Sequence, residues 1–342
     1  MTIYTAQFSL TEKCNLNCSY CYVNQKEISL TKEKFHKHYD SLKKKLKTSD
    51  KYKFHFFGGE PLLQWDLLTY ITYFLKKDEQ CLEKIIFSNG RLLTQNKVNF
   101  LKENNIKFVV SFDGMWEPYT RPLKNNEDPI KSFKKKLPLI KQLTNFATCM
   151  VTPDHLNLVE NYNFFLDELT MIPNFKIVRD DIWDDASVNK FAVEMDKLCD
   201  RYAELLENKH QNCLPDIIGG YLIKMKTGLF ENKKALGCQA GSKHLCYGSD
   251  GEIYSCERFA SEKLKINIPQ EEYEECKECP INEICDKGCP YQNIKNGNKP
   301  IANVCKLYLN IYSSIIKLNK RLKNNPFWGD IIKNLLENKP LV

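Results

Sequence analysis

The chain has 342 residues, 42% of them hydrophobic, with a formal net charge of +7. That length allows one large domain and a smaller one. No apolar run approaches the roughly 18 residues of a membrane span, and the amino terminus lacks a basic-then-apolar signal pattern, which excludes a membrane protein and makes the expected location cytoplasmic. The charge sits mainly in Lys43-Lys44-Lys45 and Lys134-Lys135-Lys136. Both runs fall in expected helices and read as solvated helix faces, not as a nucleic-acid surface.

From residue 1 to about 180, short β-rich runs alternate with amphipathic stretches. Strands are expected at 3–10, 52–57, 83–88, 107–113, 145–152 and 174–179, with helices near 31–47, 62–77, 94–104, 129–143 and 157–171. Six strands with helices between them predict a parallel sheet with right-handed crossovers, an α/β fold of the partial (β/α)6 TIM-barrel kind. Residues 187 to about 235 read as a helical connection. The segment 238–305 reads as irregular, too poor in aliphatic residues to fold without metal. The tail from Val304 to Leu336 reads as amphipathic helix, broken at Pro326.

Fifteen cysteines are many for a reducing compartment, where disulfides rarely persist, so most read as metal ligands or buried thiols. Cys14, Cys18 and Cys21 follow the first strand directly. Thiolates this close favour zinc or an iron–sulfur cluster, yet three are one short of a full ligand set. Either a distant residue completes a structural site, or the position is left open for chemistry. Three more strand ends carry unusual residues: Gly58-Gly59-Glu60-Pro61, Ser88-Asn89-Gly90 and Ser111-Phe112-Asp113-Gly114. Each alone reads as a turn. Barrel enzymes gather their chemistry at the carboxyl ends of strands, so together they point to one mouth. There, glycines permit close backbone approach and a carboxylate could receive an ammonium.

The x3-x2 cysteine spacing with Tyr20 before the last thiol, followed by Gly-Gly-Glu-Pro after the second strand, resembles the radical S-adenosylmethionine (radical SAM) superfamily. The resemblance implies that Cys14, Cys18 and Cys21 hold three irons of a [4Fe–4S] cluster whose open iron is chelated by S-adenosylmethionine. By position it assigns Gly58, Gly59 and Glu60 to the methionyl ammonium, and Ser88, Asn89, Ser111 and Asp113 to the neighbourhood of the ribose and carboxylate. Arg121 is a further candidate contact, set against a plain surface arginine.

The carboxyl-terminal order Cys238, Cys246, Gly251, Cys256, Cys276-x2-Cys279-x5-Cys285-x3-Cys289, Cys305 resembles the SPASM domain of peptide- and protein-modifying radical SAM enzymes. That resemblance implies two auxiliary [4Fe–4S] clusters, three in all. By likeness to sulfatase maturases, Cys238, Cys246, Cys256 and Cys289 would hold one, and Cys276, Cys279, Cys285 and Cys305 the other. Spacing makes Cys246 the questionable ligand, and a pair of zinc knuckles is the alternative for the whole segment. Cys81, Cys149, Cys199 and Cys213 read as buried thiols. Glu257 occupies the position of a catalytic aspartate in sulfatase maturases and is the candidate base, against a solvent-exposed acid beside a ligand.

The expected domains are a barrel over 1–185, a helical connection over 186–235, a SPASM domain over 236–310 and a helical tail over 311–342. The resemblance implies a 5′-deoxyadenosyl radical that abstracts hydrogen from a ribosomally made peptide, forming a thioether or carbon–carbon crosslink. Formylglycine formation of the sulfatase-maturase type, peptide epimerisation, and a non-catalytic iron–sulfur electron carrier or scaffold are the alternatives. Expected partners are a peptide or protein substrate and an electron donor such as a ferredoxin or flavodoxin. A first strand at residue 3 leaves no room for an amino-terminal leader-binding domain, so recognition is expected to fall to a separate leader-binding protein or to the barrel and SPASM surfaces with their Lys-rich patches.

Overall fold

The computed structural model describes residues 1–208, 213–226, 238–265, 268 and 273–337. Its strands are β1 (Ile3–Thr11), β2 (Lys51–Gly58), β3 (Cys81–Ser88), β4 (Ile106–Ser111), β5 (Phe146–Val151), β6 (Ile172–Ile177), β7 (His244–Tyr247) and β8 (Ile253–Tyr254). The helices are α1 (Lys32–Lys45), α2 (Trp65–Leu75), α3 (Gln95–Glu103), α4 (Glu117–Thr120), α5 (Pro129–Ile140), α6 (Leu158–Leu169), α7 (Asp185–Glu207), α8 (Asp216–Lys226), α9 (Glu257–Ser261), α10 (Glu274–Lys277), α11 (Pro290–Lys295), α12 (Ala302–Arg321) and α13 (Pro326–Leu336). The six strands expected before residue 180 are all present, and both lysine runs lie on helices, α1 and α5. Among the described residues no helix is long and apolar enough to cross a membrane.

The chain divides into two compact units, residues 1–112, 117–147 and 239–269, and residues 113–116, 148–238 and 270–342. In the first, strands lie in the order β4-β3-β2-β1-β7-β8. Pairing is parallel from β4 through β1 to β7 and antiparallel between β7 and β8. Parallel neighbours require crossovers, which α1, α2 and α3 supply. On one face Ala6, Phe8 and Leu10 of β1 and Tyr52, Phe54 and Phe56 of β2 are fully buried. Phe8 stacks on Phe54 and Tyr247, each at 4.5 Å, and meets Phe35 of α1 at 5.7 Å. Helix α1 begins where the Thr31 side chain accepts from Lys34 N, and it buries Phe35, His38 and Leu42 at helical spacing.

The opposite face of this sheet carries the other half of each alternation. Register places Cys246, Gln7, His55, Ile85 and Lys107 in one row across five strands. The segment expected to be irregular therefore contributes β7 and β8. Four residues with two cysteines' worth of metal-binding signal around them hid the Leu245/Tyr247 alternation, and the pairing partner, the edge of β1, is more than two hundred residues away in sequence.

In the second unit β5 and β6 are neighbours, and α7 packs on α12. Asp184 caps α7 by accepting from Ser187 N at 2.7 Å. Ser314 and Lys317 of α12 bind Asp196, and Arg321 binds Asp200 and Glu207. The expected break at Pro326 is the start of α13, with Pro326 in its first turn and Asn325 accepting from Phe327 N as its cap. Of the expected helical connection, 209–212 and 227–235 lie outside the described residues, as does 338–342 of the tail.

Candidate cluster and cofactor site

The loop bearing Cys14, Cys18 and Cys21 leaves the end of β1 and is braced by backbone. Asn17 N donates to the Pro122 carbonyl and Ser19 N to the Thr120 carbonyl, both at 2.9 Å. Cys14 and Cys18 are half-buried and Cys21 is exposed, so the loop has one open side. Burial pushes the Cys14 thiol up, partly offset by Leu16 N, which donates to its sulfur at 3.4 Å. An N–H aimed at sulfur favours the thiolate a cluster iron needs.

Side chains tie both ends of this loop into a buried polar belt. At one end Asn89 Nδ2 donates to Asn15 Oδ1 at 2.8 Å. At the other, Arg121 Nη1 donates to the Tyr20 hydroxyl at 2.9 Å. Between them Arg91 Nη1 donates to the Asn89 carbonyl at 2.8 Å, and Arg91 Nη2 to Glu117 Oε1 at 2.6 Å. Arg121 Nε stands 3.5 Å from the same Glu117 oxygen. Glu117 is wholly buried, while Arg91 and Arg121 are 6% and 8% exposed, so Arg121 is not a surface arginine.

The Gly58-Gly59-Glu60 turn is packed against the same loop. Gly59 N donates to the Thr11 carbonyl at 2.7 Å and Glu60 N to the Lys13 carbonyl at 2.8 Å. A Cβ on Gly59 would stand 2.2 Å from the Lys13 carbonyl oxygen, so only glycine lets the two backbones meet. Glu60 is fully buried, and its carboxylate accepts from Leu62 N at 2.9 Å, Ser88 Oγ at 2.8 Å and Asn89 N at 2.9 Å. Burial raises its pKa against those three donors. In this structure the carboxylate locks the end of β2 to the end of β3 and caps the turn that follows.

Below this mouth, the sheet face opposite α1 holds the remaining chemistry of the first unit. Glu257 opens α9, and its carboxylate accepts from Gln7 Nε2 at 3.1 Å and from the Tyr22 hydroxyl at 3.4 Å. His244 Nε2 lies 3.6 Å away. Burial pushes the Glu257 carboxyl up, but the His244 contact outweighs it and holds the group below the usual glutamate range. The side chain is 26% exposed, so it is neither free in solvent nor sealed. A small cavity of about 30 Å³ is shared by Ser9, Gly58, Cys246 and Glu257. On the same face Glu83 bridges Lys53 and Lys107. His55 lies one strand from Gln7 in the same row, and burial carries its pKa down to about 4.

The second unit contains an apolar cavity of about 410 Å³ lined by Cys276, Cys279, Cys285, Cys289 and Cys305. Burial pushes the thiols of Cys276 and Cys285 up and that of Cys305 to about 11, so loading with metal would release protons. Five soft donors lining one apolar cavity suit iron–sulfur ligation in chemistry and in room. Among the described residues no three His, Cys, Asp or Glu side chains converge tightly enough to hold a single ion. Of the other expected ligands, Cys246 is buried on β7 and Cys256 immediately precedes α9, both in the first unit, while Cys238 is exposed in the second. Cys149, Cys199 and Cys213 are buried, and Cys81 is half-buried.

The two further expected strand-end residues are Ser111 and Asp113. Ser111 ends β4 and is half-buried. Asp113 belongs to the second unit, where its Oδ1 accepts from Met150 N at 2.8 Å and its carbonyl from Asn161 Nδ2 at 3.0 Å. Gln7, His55, Arg91 and Glu117 were not singled out from the sequence. The alternation of β1 and β2 could have flagged Gln7 and His55 as polar residues on a second sheet face; nothing local marks Arg91 or Glu117.

Residues 8–159 match the family model of the Radical SAM superfamily. The radical SAM cyclopropyl synthase TigE of Paramaledivibacter caminithermalis is 24% identical over 370 residues, which cover 94% of this chain and 75% of that protein. A cysteine-type anaerobic sulfatase-maturating enzyme of Clostridium perfringens is 23% identical over 324 residues, 81% of this chain and 85% of that one. The solved structure of native anSMEcpe with bound AdoMet and Cp18Cys peptide aligns with a TM-score of 0.73 at 18% identity, covering 98% of this chain and all of that one. That likeness establishes the α/β fold.

Proposed function

Residues 8–159 being a radical SAM domain, we propose that the chain modifies a peptide or protein, its first reading being maturation of a ribosomally made peptide by a thioether or carbon–carbon crosslink. The observation that carries this is the Cys14–Cys21 loop, open on one side and tied at Asn15 to Asn89 at the end of β3 and at Tyr20 to Arg121, just past α4. A [4Fe–4S] cluster on Cys14, Cys18 and Cys21, with S-adenosylmethionine on its open iron, supplies reductive cleavage of that cofactor and thereby hydrogen abstraction from the substrate. The protein's share is to fix geometry and exclude water. Gly58 and Gly59 let the turn pack against the backbone of Thr11 and Lys13 and stay assigned, with Glu60, to the methionyl end of the cofactor. Glu60, Ser88, Asn89, Tyr20 and Arg121 act mainly by holding the loops in place, and Ser111 and Asp113 stay assigned to the cofactor's far end.

The domain scheme is a barrel over 1–185, a connection over 186–235, a SPASM domain over 236–310 and a tail over 311–342. The cavity of the second unit supports one auxiliary cluster, on Cys276, Cys279, Cys285 and Cys305. The second is assigned to Cys238, Cys246, Cys256 and Cys289. Glu257, hydrogen-bonded to Gln7 and Tyr22 beside Cys246, is the proposed base toward the substrate. Electrons would come from a ferredoxin or flavodoxin.

Formylglycine formation is the second reading, supported by the extent of the alignment to the C. perfringens maturase. One experiment separates the two. Anaerobically reconstituted protein is given S-adenosylmethionine, reductant and either a sulfatase active-site peptide or a cysteine-rich precursor peptide encoded beside the gene. Loss of a hydrogen pair with all sulfur retained marks a crosslink, and conversion of the thiol carbon to an aldehyde marks formylglycine. Iron-replete protein that changes neither peptide would overturn both.

A further inference from the structure

Helices α1 and α2 turn an aromatic groove toward solvent. Lys32, His36, Tyr39 and Lys43 recur at helical spacing along α1, and Tyr70, Tyr73 and Phe74 of α2, with Lys77 just past it, form the facing stripe. The rings meet edge to face, Tyr39 on Phe74 at 4.9 Å and His36 on Phe74 at 5.1 Å. His36 Nε2 and the Tyr70 hydroxyl share a hydrogen bond of 2.7 Å. Between the stripes lies a hollow of about 700 Å³, walled by the three tyrosines, Phe74, Lys43, Lys77 and Asp78. Tyr73 on its rim is 54% exposed.

The charge around this hollow is one-sided. Residues 32–47 hold seven lysines against Glu33 and Asp40, a surplus of five within a net charge of +7. Asp78, the carboxylate in the hollow, is spent within the fold: it accepts from the Tyr39 and Tyr52 hydroxyls at 2.8 and 2.6 Å and from Lys43 Nζ at 3.0 Å. Lys32 and Lys76 instead lie over the rings of Tyr70 and Tyr73, at 4.4 and 4.8 Å. Among the described residues neither of them, nor Lys77, has a carboxylate within ion-pair distance.

Unpaired cations therefore stand at both ends of an aromatic floor. From Lys32 to Lys43 the groove runs roughly 16 Å along α1, about three helical turns. Two helix ridges with a groove between them can seat a third helix, whose apolar face meets the rings while its carboxylates meet the lysines. Helix α1 returns from the end of β1 to the start of β2, so the Lys32 end of the groove is the end nearer the thiol loop. We propose that this groove docks an acidic, amphipathic segment of the peptide substrate that lies outside the residues to be modified. The proposal rests on the reading of the substrate as a peptide.

The test measures fluorescence anisotropy of a labelled precursor peptide, the one encoded beside the gene, with the full chain reconstituted with iron and sulfide. Wild-type protein should bind it, less tightly as salt is raised. Lys32→Glu/Lys77→Glu should keep the iron content and weaken binding at least about tenfold at low salt, with a smaller loss at high salt. Tyr73→Ala should weaken binding at every salt concentration. Changing the peptide's Asp and Glu to Asn and Gln should lower its affinity for wild-type protein and barely alter it for the double variant. Should the charge reversal fail to fold, Lys32→Gln/Lys77→Gln replaces it under the same criterion. Unchanged affinity in the lysine and tyrosine variants, or wild-type protein that modifies the peptide without binding it here, would overturn the groove and leave the peptide reading standing. Protein that neither binds nor modifies any precursor would overturn both. A wild-type dimer in sedimentation that Tyr73→Ala dissociates would give the groove to a second copy and likewise overturn the proposal.

Discussion

The side-chain amide of Asn89 donates to the side-chain carbonyl of Asn15 at 2.8 Å, joining the end of β3 to the residue that follows Cys14. Asn89 is 3% exposed and makes three further contacts: its N–H donates to Glu60, its Oδ1 accepts from Arg91 N, and its carbonyl accepts from Arg91 Nη1. One residue thus connects the thiol loop, through its side chain, to the Gly-Gly-Glu turn and the Arg91–Glu117 pair, which its backbone N–H and carbonyl hold. Asn89→Ala removes its side-chain bonds and leaves buried partners unpaired, a loss of about 1–3 kcal/mol. Urea unfolding should report that loss, and reconstituted protein should retain less iron under chelator than wild type. Unchanged iron retention would detach the belt from the loop's function.

Glu117 lies between two guanidiniums with almost no exposure. Glu117→Gln leaves both buried cations without their anion and should cost roughly 3–5 kcal/mol, more than Asn89→Ala. Thermal melting of the two variants side by side checks the order.

Gly59→Ala drives a methyl into the Lys13 carbonyl oxygen, 2.2 Å from the ideal Cβ, with Glu12 backbone close behind. Backbone must move, so the expected cost is about 3 kcal/mol or more, together with lost binding of S-adenosylmethionine by calorimetry. A variant that binds the cofactor normally would remove the close approach from the account.

His55 titrates at about 4 in the folded chain, chiefly through burial, with the charges of His244 and Lys53 adding to it. Unfolded, it takes its proton near pH 6.5. Above that pH both states are neutral and the histidine adds no pH dependence. Between about 6.5 and 4 the unfolded chain binds the extra proton, so stability falls as pH falls. His55→Gln should flatten this part of the stability–pH curve measured by urea unfolding. An unaltered slope would show that the imidazole is solvated.

Much of the fold is legible in the sequence because its local signals agree. Six runs with apolar alternation or full apolarity, separated by capped amphipathic helices such as that begun by Thr31, leave few topologies open. The thiol triplet, the paired glycines and the cysteine-rich segment are equally visible, since tight spacing is itself the signal. The belt was only half visible. Tyr20, Asn89 and Arg121 stood out by position, but Arg91 and Glu117 contribute through a burial that only the folded chain creates. Glu60 is visible as a candidate ligand residue, whereas the bonds its carboxylate accepts from Leu62, Ser88 and Asn89 arise only in the folded chain. Short β7 was missed for the same reason, because its stability lies in pairing with β1 and not in its own four residues.

The most direct test of the central claim is detection of 5′-deoxyadenosine by liquid chromatography and mass spectrometry after anaerobic incubation of iron-replete protein with S-adenosylmethionine, dithionite and each candidate peptide. The account predicts that wild-type protein releases it and that a Cys14→Ala/Cys18→Ala/Cys21→Ala variant, with the cavity cysteines intact, releases none. Wild-type protein with its clusters in place that forms no 5′-deoxyadenosine under any of these conditions, or a triple variant that forms as much as wild type, would contradict it.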